Sequence, residues 1–381
     1  MSTWLFVDLA QNFGGHEVMI LRWIEELARA GAAKPVLMCA SGTRLASMAR
    51  AICPVTEVDI GAPAPRSRWR AALQMLRVLR VMAAAIWRWR PRAVVVGEGC
   101  LMAQRHGLLA AFVLRQYVVL YVPLVATFDE MGFSDAARLE RRMKRFYGKL
   151  PSAWLTITED QAAEFREWSK VKQPIYCLPN TVSSAVEARQ GDRIQRDGYA
   201  PAARTKVLVL GRLESRQKGL DLLLEYLIGN PGLGEQFEVH FVGEGPFSDE
   251  LSAAITAHPH LAGYLTTTPW RDAIEVLCLH DVLLLPSRYE GVPLVMLEAM
   301  AIGLPVVASD LPGTRPYLPG NCLFPVGDLR GAFERLRGLR ESPAHWREVA
   351  AENMRAFRAQ ASGAAFNAAV LRLTGLVNAG R

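Results

Sequence analysis

Short apolar runs alternate with amphipathic stretches along most of the chain. An apolar run that ends at Gly, Pro or Asp predicts a buried strand, whereas apolar residues spaced three or four apart predict a helix. The predicted strands are residues 3–8, 36–39, 93–96, 117–127, 154–158, 175–178, 207–210, 237–242, 282–285 and 305–308, together with a short strand at Tyr264. The main predicted helices are residues 18–30, 106–114, 220–228, 294–302 and 344–379. This alternation predicts an α/β fold with two doubly wound parallel sheets facing each other.

A polar segment with interspersed Gly and Pro divides this pattern into two halves. A length of 381 residues also favours two domains, because it exceeds what one ordinary core holds. We predict an N-terminal domain at residues 1–185, a linker at 186–203 and a C-terminal domain at 204–343. Residues 344–381 are predicted to form a helical segment that packs back toward the N-terminal domain.

Composition indicates a compact cytoplasmic protein. Hydrophobic residues make up 51% of the chain, and the six cysteines include no Cys-x-x-Cys pair, which argues against a disulfide framework or a zinc site. The first residues have the pattern of a strand and lack the basic head of a signal peptide. The apolar stretch 107–127 is interrupted by Arg115 and Pro123, so we predict a buried helix and strand there instead of a membrane span.

Positive charge is concentrated in the N-terminal half. The net charge is +7, and residues 1–185 carry 24 Lys and Arg against 15 Asp and Glu. Residues 62–92 contain eight arginines and no acid, with Trp and Leu between them. A cationic helix of this kind suits an anionic membrane surface, and a solvated surface helix is the alternative. We therefore predict that residues 66–92 and 138–149 bind the inner face of the cytoplasmic membrane.

The candidate chemistry centres on two carboxylates. Glu290 lies in the loop between the strand at 282–285 and the helix at 294–302, and Glu298 lies inside that helix. Open parallel sheets bind ligands at the carboxyl ends of their strands, which is where this pattern places both carboxylates. A solvated surface position is the alternative for each of them.

A second candidate site follows the first strand. Gly14 and Gly15 lie between that strand and the first helix. Glycine at such a turn lets backbone N–H groups approach an anion at the helix N-terminus. An ordinary tight turn is the alternative.

Four segments resemble motifs of the GT-B glycosyltransferases, specifically of the large retaining group numbered family 4. The segments follow one another along the chain in that family's order. The strongest is SRYEGVPLVMLEAMAIGLPVVAS at 287–309, which resembles that family's Glu-x7-Glu element. GRLESRQKG at 211–219 is similar to its diphosphate-binding segment, and FGGHE at 13–17 is similar to its N-terminal Gly-Gly loop. VGEGP at 242–246 also fits. The resemblance covers nearly the whole chain and implies a GT-B fold, with two facing Rossmann-like domains and a cleft between them.

The resemblance implies a retaining hexosyltransferase with a nucleotide-sugar donor, and we expect a UDP-sugar in preference to a GDP-sugar. It implies Glu290 as the catalytic carboxylate and Glu298 as the ribose ligand. It assigns the diphosphate to Gly14, Gly15, Arg212, Lys218, Val292, Pro293 and Leu294, the donor sugar to Glu290, Gly291 and Val292, and the nucleobase to Thr268, Pro269 and Trp270. Arg212 and Lys218 offer the leaving diphosphate a planar fork and a point charge, so we expect no metal and no cofactor.

Two positions depart from the family pattern. Relatives carry a His-Asp pair after the strand that here is predicted at 117–127, but this chain has Asp129 without that His. Asp129, His106 and His16 are the candidates for its catalytic role, and a packed or surface imidazole is the alternative for each His. The second departure is Arg315, where relatives often have an acid.

The membrane-binding prediction favours a lipid-linked or other membrane-proximal glycan acceptor, in bacterial-type polysaccharide or lipopolysaccharide assembly. A soluble acceptor is the main alternative. A nucleotide-sugar epimerase would share the fold, but the acid and His sets typical of such isomerases are not found in this sequence. We expect no nucleic-acid partner, because the basic stretch lacks a recognisable nucleic-acid-binding module.

Overall fold

The chain folds as two compact units, each built on one parallel sheet. The first unit comprises Met1–Asn180 and Phe366–Arg381, and the second comprises Thr181–Ala365. The predicted α/β class with two doubly wound parallel sheets is confirmed. The computed structural model describes residues 1–61, 68–102, 105–195 and 203–379.

The first unit contains a seven-stranded parallel sheet. Its strands are β1 (Thr3–Asp8), β2 (Lys34–Ala40), β3 (Val55–Val58), β4 (Ala93–Gly97), β5 (Val118–Tyr121), β6 (Ala153–Thr156) and β7 (Ile175–Cys177). Its helices are α1 (Gly15–Ala30), α2 (Arg44–Ala49), α3 (Arg68–Trp89), α4 (Arg105–Val113), α5 (Ala136–Arg145) and α6 (Glu159–Ser169), with a 3-10 turn at Tyr147–Lys149. The strand order is β3-β2-β1-β4-β5-β6-β7. Successive strands are therefore added in one direction from β1 to β3 and in the opposite direction from β4 to β7, and this order reverses between β1 and β4. Such a reversal is where open α/β sheets bind ligands.

The second unit repeats this plan with six parallel strands. Its strands are β8 (Thr205–Leu210), β9 (Phe237–Val242), β10 (Leu265–Thr268), β11 (Val282–Leu285), β12 (Val306–Ser309) and β13 (Leu323–Phe324). Its helices are α7 (Ser184–Glu187), α8 (Asp192–Gln195), α9 (Ser215–Lys218), α10 (Leu220–Gly229), α11 (Ser248–Ala257), α12 (Ala273–Cys278), α13 (Leu294–Ile302), α14 (Leu329–Glu341) and α15 (Pro343–Gln360). Short 3-10 turns lie at Pro231–Glu235, Leu261–Gly263 and Gly320–Cys322. The strand order β10-β9-β8-β11-β12-β13 reverses between β8 and β11.

The final helix, α16 (Gly363–Ala379), belongs to the first unit from Phe366 onward. It buries Phe366, Val370, Leu373 and Val377. The Arg92 guanidinium, at the entrance to β4, donates to the carbonyl of Asn378 at 2.7 Å. The last helix is therefore held by a residue far earlier in the chain.

Apolar side chains account for the local folding of both sheets. β1 is buried from Trp4 to Asp8, and the ring of Trp23 on α1 meets the rings of Trp4 and Phe6 edge-on, with centroids 6.0 and 5.0 Å away. In the second unit, Phe237 of β9 packs edge-on against Phe333 of α14 at 5.3 Å. Edge-to-face rings at these separations add to the stabilisation that comes from burial alone.

Two predicted elements differ most from the structure in their boundaries. The strand predicted at 117–127 ends at Tyr121, shortly before Pro123, which has no N–H to donate to a neighbouring strand. The helix predicted at 344–379 is two helices, because Ser362 caps a new start by accepting from the N–H of Ala365 at 3.3 Å. Among the described residues, no helix is both long enough and apolar enough to cross a membrane.

Candidate functional site

Four loops meet closely at the carboxyl edge of the second sheet. A Cβ added to Gly243, after β9, would lie 1.8 Å from the carbonyl oxygen of Gly211, after β8. A Cβ on Gly313, after β12, would lie 1.4 Å from the carbonyl oxygen of Gly291, after β11. These approaches are possible only for backbone without a side chain, so the glycines bring the loops into direct contact.

Gly219 makes the same kind of contact and adds a turn. It has φ of +65°, and a Cβ there would lie 2.1 Å from the carbonyl oxygen of Pro286. Because of this positive φ, α9 ends at Gly219 and α10 starts in a new direction. The end of α9 therefore lies against the loop that follows β11. Lys218, the last residue of α9, is placed at this contact.

Lys218 and Glu290 are paired in the structure. The Lys218 ammonium contacts the Glu290 carboxylate, and the Ser287 hydroxyl donates to the same carboxylate oxygen at 3.1 Å. The side chain of Glu290 is 8% exposed and that of Lys218 is 21% exposed. The structure thus brings together two residues predicted for the diphosphate and for the donor sugar, and it adds Ser287 to them.

Arg212 lines the same narrow cavity as Lys218 and Ser287. Its guanidinium is exposed and donates to the side-chain oxygen of Gln217 at 2.9 Å. Two cations therefore border one cavity at the carboxyl edge of the sheet, an arrangement that can bind an anion.

Arg288 is a site residue that the sequence analysis missed. Its guanidinium forms a two-pronged ion pair with Asp221, at 2.6 and 2.7 Å, and donates to the carbonyl of Arg216 at 3.0 Å. Its backbone N–H donates to the carbonyl of Gln217 at 2.9 Å. Partial burial raises the pKa of Asp221, but the Arg288 guanidinium lowers it more, so the net shift is downward. Arg288 thus ties the loop of Glu290 to the segment that carries Arg212 and Lys218.

The predicted sugar and ribose residues lie around the start of α13. Gly291 and Val292 belong to the loop, Pro293 caps the helix, and Leu294 is its first residue. Glu298 is half-buried in the second turn of the same helix. The N-terminal N–H groups of a helix lack intrahelical partners and attract negative charge.

The predicted nucleobase segment follows β10. Thr268 ends that strand, Pro269 follows it, and Trp270 is largely exposed. The Thr268 hydroxyl lies 2.8 Å from Nε2 of His240, whose Nδ1 lies 3.0 Å from Nε2 of His280. Burial, the neighbouring His280 and Arg271 lower the pKa of His240 to about 4. This histidine is therefore neutral at physiological pH.

The remaining predicted residues lie in the first unit. Gly14 and Gly15 stand at the start of α1, and His16 follows them between two carboxylates. His106 is the second residue of α4, and burial together with Arg105 lowers its pKa. Asp129 is exposed in the turn after β5.

One group of side chains in the described part of the chain has the composition of a metal site. Asp8, His16 and Glu17 place their ligand atoms within 4.8 Å of one another. Both ring nitrogens of His16 face carboxylates in this arrangement.

Comparison with known proteins relates this geometry to a family. The profile of the family "Glycosyl transferases group 1" matches residues 204–341, which hold Arg212, Lys218, Glu290 and Glu298. The 2-deoxystreptamine N-acetyl-D-glucosaminyltransferase of Streptomyces fradiae is 28% identical over 372 residues, covering 89% of this chain and 85% of that protein. The UDP-Gal:alpha-D-GlcNAc-diphosphoundecaprenol alpha-1,3-galactosyltransferase of Escherichia coli is 34% identical over 100 residues, covering 26% of this chain and 24% of that one.

Other matches extend the likeness in fold. Anabaena Alr3699/HepE, solved in complex with UDP and glucose, superposes with a TM-score of 0.76 over 99% of this chain and 100% of its own, at 16% identity. The first curated relatives match over a limited region, and the chain spans 26%, 38% and 36% of their lengths.

Proposed function

Residues 204–341 form a group 1 glycosyltransferase domain within a chain of GT-B fold, and on this premise we propose that the protein transfers a hexose from a UDP-sugar with retention of anomeric configuration. The observation that carries the proposal is the grouping of Lys218, Glu290 and Ser287 beside Arg212 at the carboxyl edge of the second sheet. These residues supply the charges that a leaving diphosphate and a sugar hydroxyl require.

The proposed chemistry follows from charge. When the bond between the anomeric carbon and the diphosphate breaks, negative charge develops on the phosphate oxygens. Arg212 and Lys218 stabilise that negative charge, and the N-terminal amides of α13 add to this stabilisation. The Glu290 carboxylate, which pairs with Lys218 in the structure, accepts from a sugar hydroxyl once Lys218 turns to the phosphate. Because protein cations do this work, we propose that no metal is required.

The donor and metal proposals are tested together. Thermal-shift measurements with UDP, GDP and their sugars should show stabilisation by UDP compounds, since ligand binding to the folded state raises the melting temperature. Transfer or donor hydrolysis with the stabilising sugar should persist in excess EDTA. Stabilisation by GDP compounds alone would contradict the donor, and activity lost in EDTA and restored by magnesium would contradict metal independence.

We further propose a lipid-linked or membrane-proximal glycan acceptor, with the protein on the cytoplasmic face of the membrane. The supporting feature is one face of α3. Trp69, Leu73, Leu76 and Trp87 follow one another at steps of four, three and eleven residues, which places them on one side of the helix. All four are exposed, Trp69 and Trp87 by 85% and 80%, while the opposite side buries Val78, Met82 and Ala85.

Arginines flank this apolar face. Arg70, Arg77, Arg80, Arg88 and Arg90 are exposed, and Arg77 has a long ion pair with Asp59 at 3.7 Å. Helix α5 adds exposed basic residues at Arg138, Arg141, Arg142, Lys144 and Arg145. Exposed Trp and Leu bordered by arginine is the pattern of a helix that lies in a lipid headgroup layer. Arg66 and the rest of 62–67 lie outside the described residues.

Reversing four of these charges should release the protein from anionic vesicles. Each basic residue near such a surface contributes about 1 kcal/mol, so Arg77, Arg80, Arg88 and Arg90 changed to Glu should abolish sedimentation with vesicles at low salt. The matched control makes the same charge change in the second unit, at exposed Arg330, Arg347, Arg355 and Arg358. Equal binding by both quadruple variants, or no binding by the wild type, would reject the membrane proposal.

A second candidate keeps the chemistry and uses a soluble acceptor. The observation that favours it is the similarity over 89% of the chain to an enzyme named for transfer to 2-deoxystreptamine. Vesicle sedimentation distinguishes the two candidates, because a soluble acceptor gives the α3 face no role at a membrane.

A further inference from the structure

Three side chains of the second unit form a continuous chain of hydrogen bonds. Nδ1 of His280 lies 2.7 Å from the carbonyl oxygen of Val276, and Nε2 of the same ring lies 3.0 Å from Nδ1 of His240. Nε2 of His240 in turn lies 2.8 Å from the hydroxyl of Thr268. The chain of hydrogen bonds therefore ends at the first residue of the segment that is assigned to the nucleobase.

The sheet determines where these side chains lie. His240 on β9 is the register partner of Thr266 on β10, and Thr268, two residues further along β10, has its side chain on the same face of the sheet. The His240 ring can therefore reach along this face to the hydroxyl. His280 is buried, and its ring centroid lies 5.1 Å from that of His240. The N–H of Gly243 donates to the carbonyl of Thr268 at 3.0 Å, which holds the end of β10 in place.

The chemistry of the partners determines where each proton lies. A carbonyl oxygen only accepts, so His280 carries a proton on Nδ1. In a neutral ring, Nε2 of His280 is then an acceptor, and His240 has to donate to it from Nδ1. A neutral His240 is left with Nε2 as an acceptor, so the Thr268 hydroxyl has to donate to it.

Both rings are neutral at physiological pH. Burial, the neighbouring His280 and Arg271 lower the pKa of His240 to about 4. Burial also lowers the pKa of His280, and it outweighs the Val276 carbonyl and Asp281, which raise it. The single arrangement of protons described above therefore applies to the working protein.

The Thr268 hydroxyl can consequently offer a ligand only its lone pairs. Thr268 is half-buried and Trp270 beyond it is largely exposed, so a ligand can reach this end of the strand. Ring nitrogen N3 carries a hydrogen in uracil and a lone pair in cytosine, and the two bases are nearly equal in size. Uracil can therefore donate to Thr268, whereas cytosine would place two acceptors against each other.

We propose that His280 and His240 are positioning residues that hold the Thr268 hydroxyl as an acceptor and so make the protein select uracil over cytosine. The inference rests on the proposed function, because it requires a nucleotide at the segment after β10. The family resemblance assigns that segment, and the structure adds the two histidines and the direction of the hydrogen bond. Guanine also carries a ring N–H, so UDP and CDP are the pair that isolates this contact.

Calorimetry with UDP and CDP tests the selection. The wild type should bind UDP about tenfold more tightly than CDP, because a mismatched polar group costs more than an unmade contact. In His240→Leu the hydroxyl can turn and donate to cytosine, so the ratio should fall to about threefold or less, through tighter binding of CDP. Thr268→Val should lose the ratio through weaker binding of UDP, and Thr268→Ser should keep it. His258→Leu, at the end of α11, is the matched control and should keep the wild-type ratio.

Nuclear magnetic resonance of the ¹⁵N-histidine-labelled protein tests the proton positions without a nucleotide. His240 and His280, assigned by the signals that His240→Leu and His280→Leu remove, should both carry their proton on Nδ1 at neutral pH. A proton on Nε2 of either ring would overturn the proposal. Equal affinity of the wild type for UDP and CDP would also overturn it and leave the glycosyltransferase function standing. Failure to bind either nucleotide would overturn the proposed function as well.

Discussion

Replacing Lys218 with alanine should lower kcat/KM at least a hundredfold, and replacing Arg212 should have an effect of similar size. Each substitution removes a charge-assisted contact that strengthens as the diphosphate leaves, and a hundredfold corresponds to about 2.7 kcal/mol of transition-state stabilisation. Steady-state kinetics with the donor identified by thermal shift measures the loss.

Lys206→Ala is the matched control for this prediction. Lys206 is an exposed cation at the opposite end of β8 from the segment that holds Arg212 and Lys218. Its replacement removes one positive charge from the same unit without touching the candidate site, so activity should change less than twofold. Near-normal activity in both Lys218→Ala and Arg212→Ala would reject the assignment of the diphosphate site.

Glu290→Gln should reduce kcat at least a hundredfold without weakening the binding of UDP. The substitution removes the charged acceptor for the sugar hydroxyl, and it also frees Lys218 from the ion pair seen in the structure. Glutamine keeps an oxygen for the Ser287 hydroxyl, so the loop should retain its shape. Calorimetry with UDP and single-turnover kinetics with the UDP-sugar separate the two effects.

Glu298→Ala provides the contrast to Glu290→Gln. If Glu298 binds the ribose, its loss should weaken UDP binding by at least tenfold, while the single-turnover rate at which bound UDP-sugar reacts changes less. Equal losses of UDP affinity in the two variants would show that Glu290 and Glu298 do not bind separate parts of the donor, the sugar and the ribose.

The helices and strands that could be predicted are those whose sequence signals are local. The apolar run of β11, Pro293 and Gly303 together define the boundaries of α13, which the structure places at Leu294–Ile302 as predicted. Strands β3 and β13 were missed because they are short and carry weak alternation. Local patterns also indicated Lys218 and Glu290 as site residues, through resemblance to a family.

The contacts between those residues could not be predicted from local patterns. Lys218 and Glu290 are 72 residues apart in sequence, and Arg288 and Asp221 are 67 apart. Both pairs depend on the approach of the loops after β8 and β11, which Gly219 permits by leaving room for the carbonyl of Pro286.

The assignment of the last helix to the first unit has a consequence for synthesis. A ribosome makes Thr181–Ala365 as one uninterrupted segment, so the second unit can fold as soon as that segment has emerged. The first unit has to wait for Phe366 and the residues after it, which supply the apolar side of α16 and the carbonyl that Arg92 binds. Although domains commonly mature from the N-terminus onward, here the N-terminal unit is completed after the second unit. During translation, the surface that α16 will cover is therefore exposed to chaperones for longer than any part of the second unit.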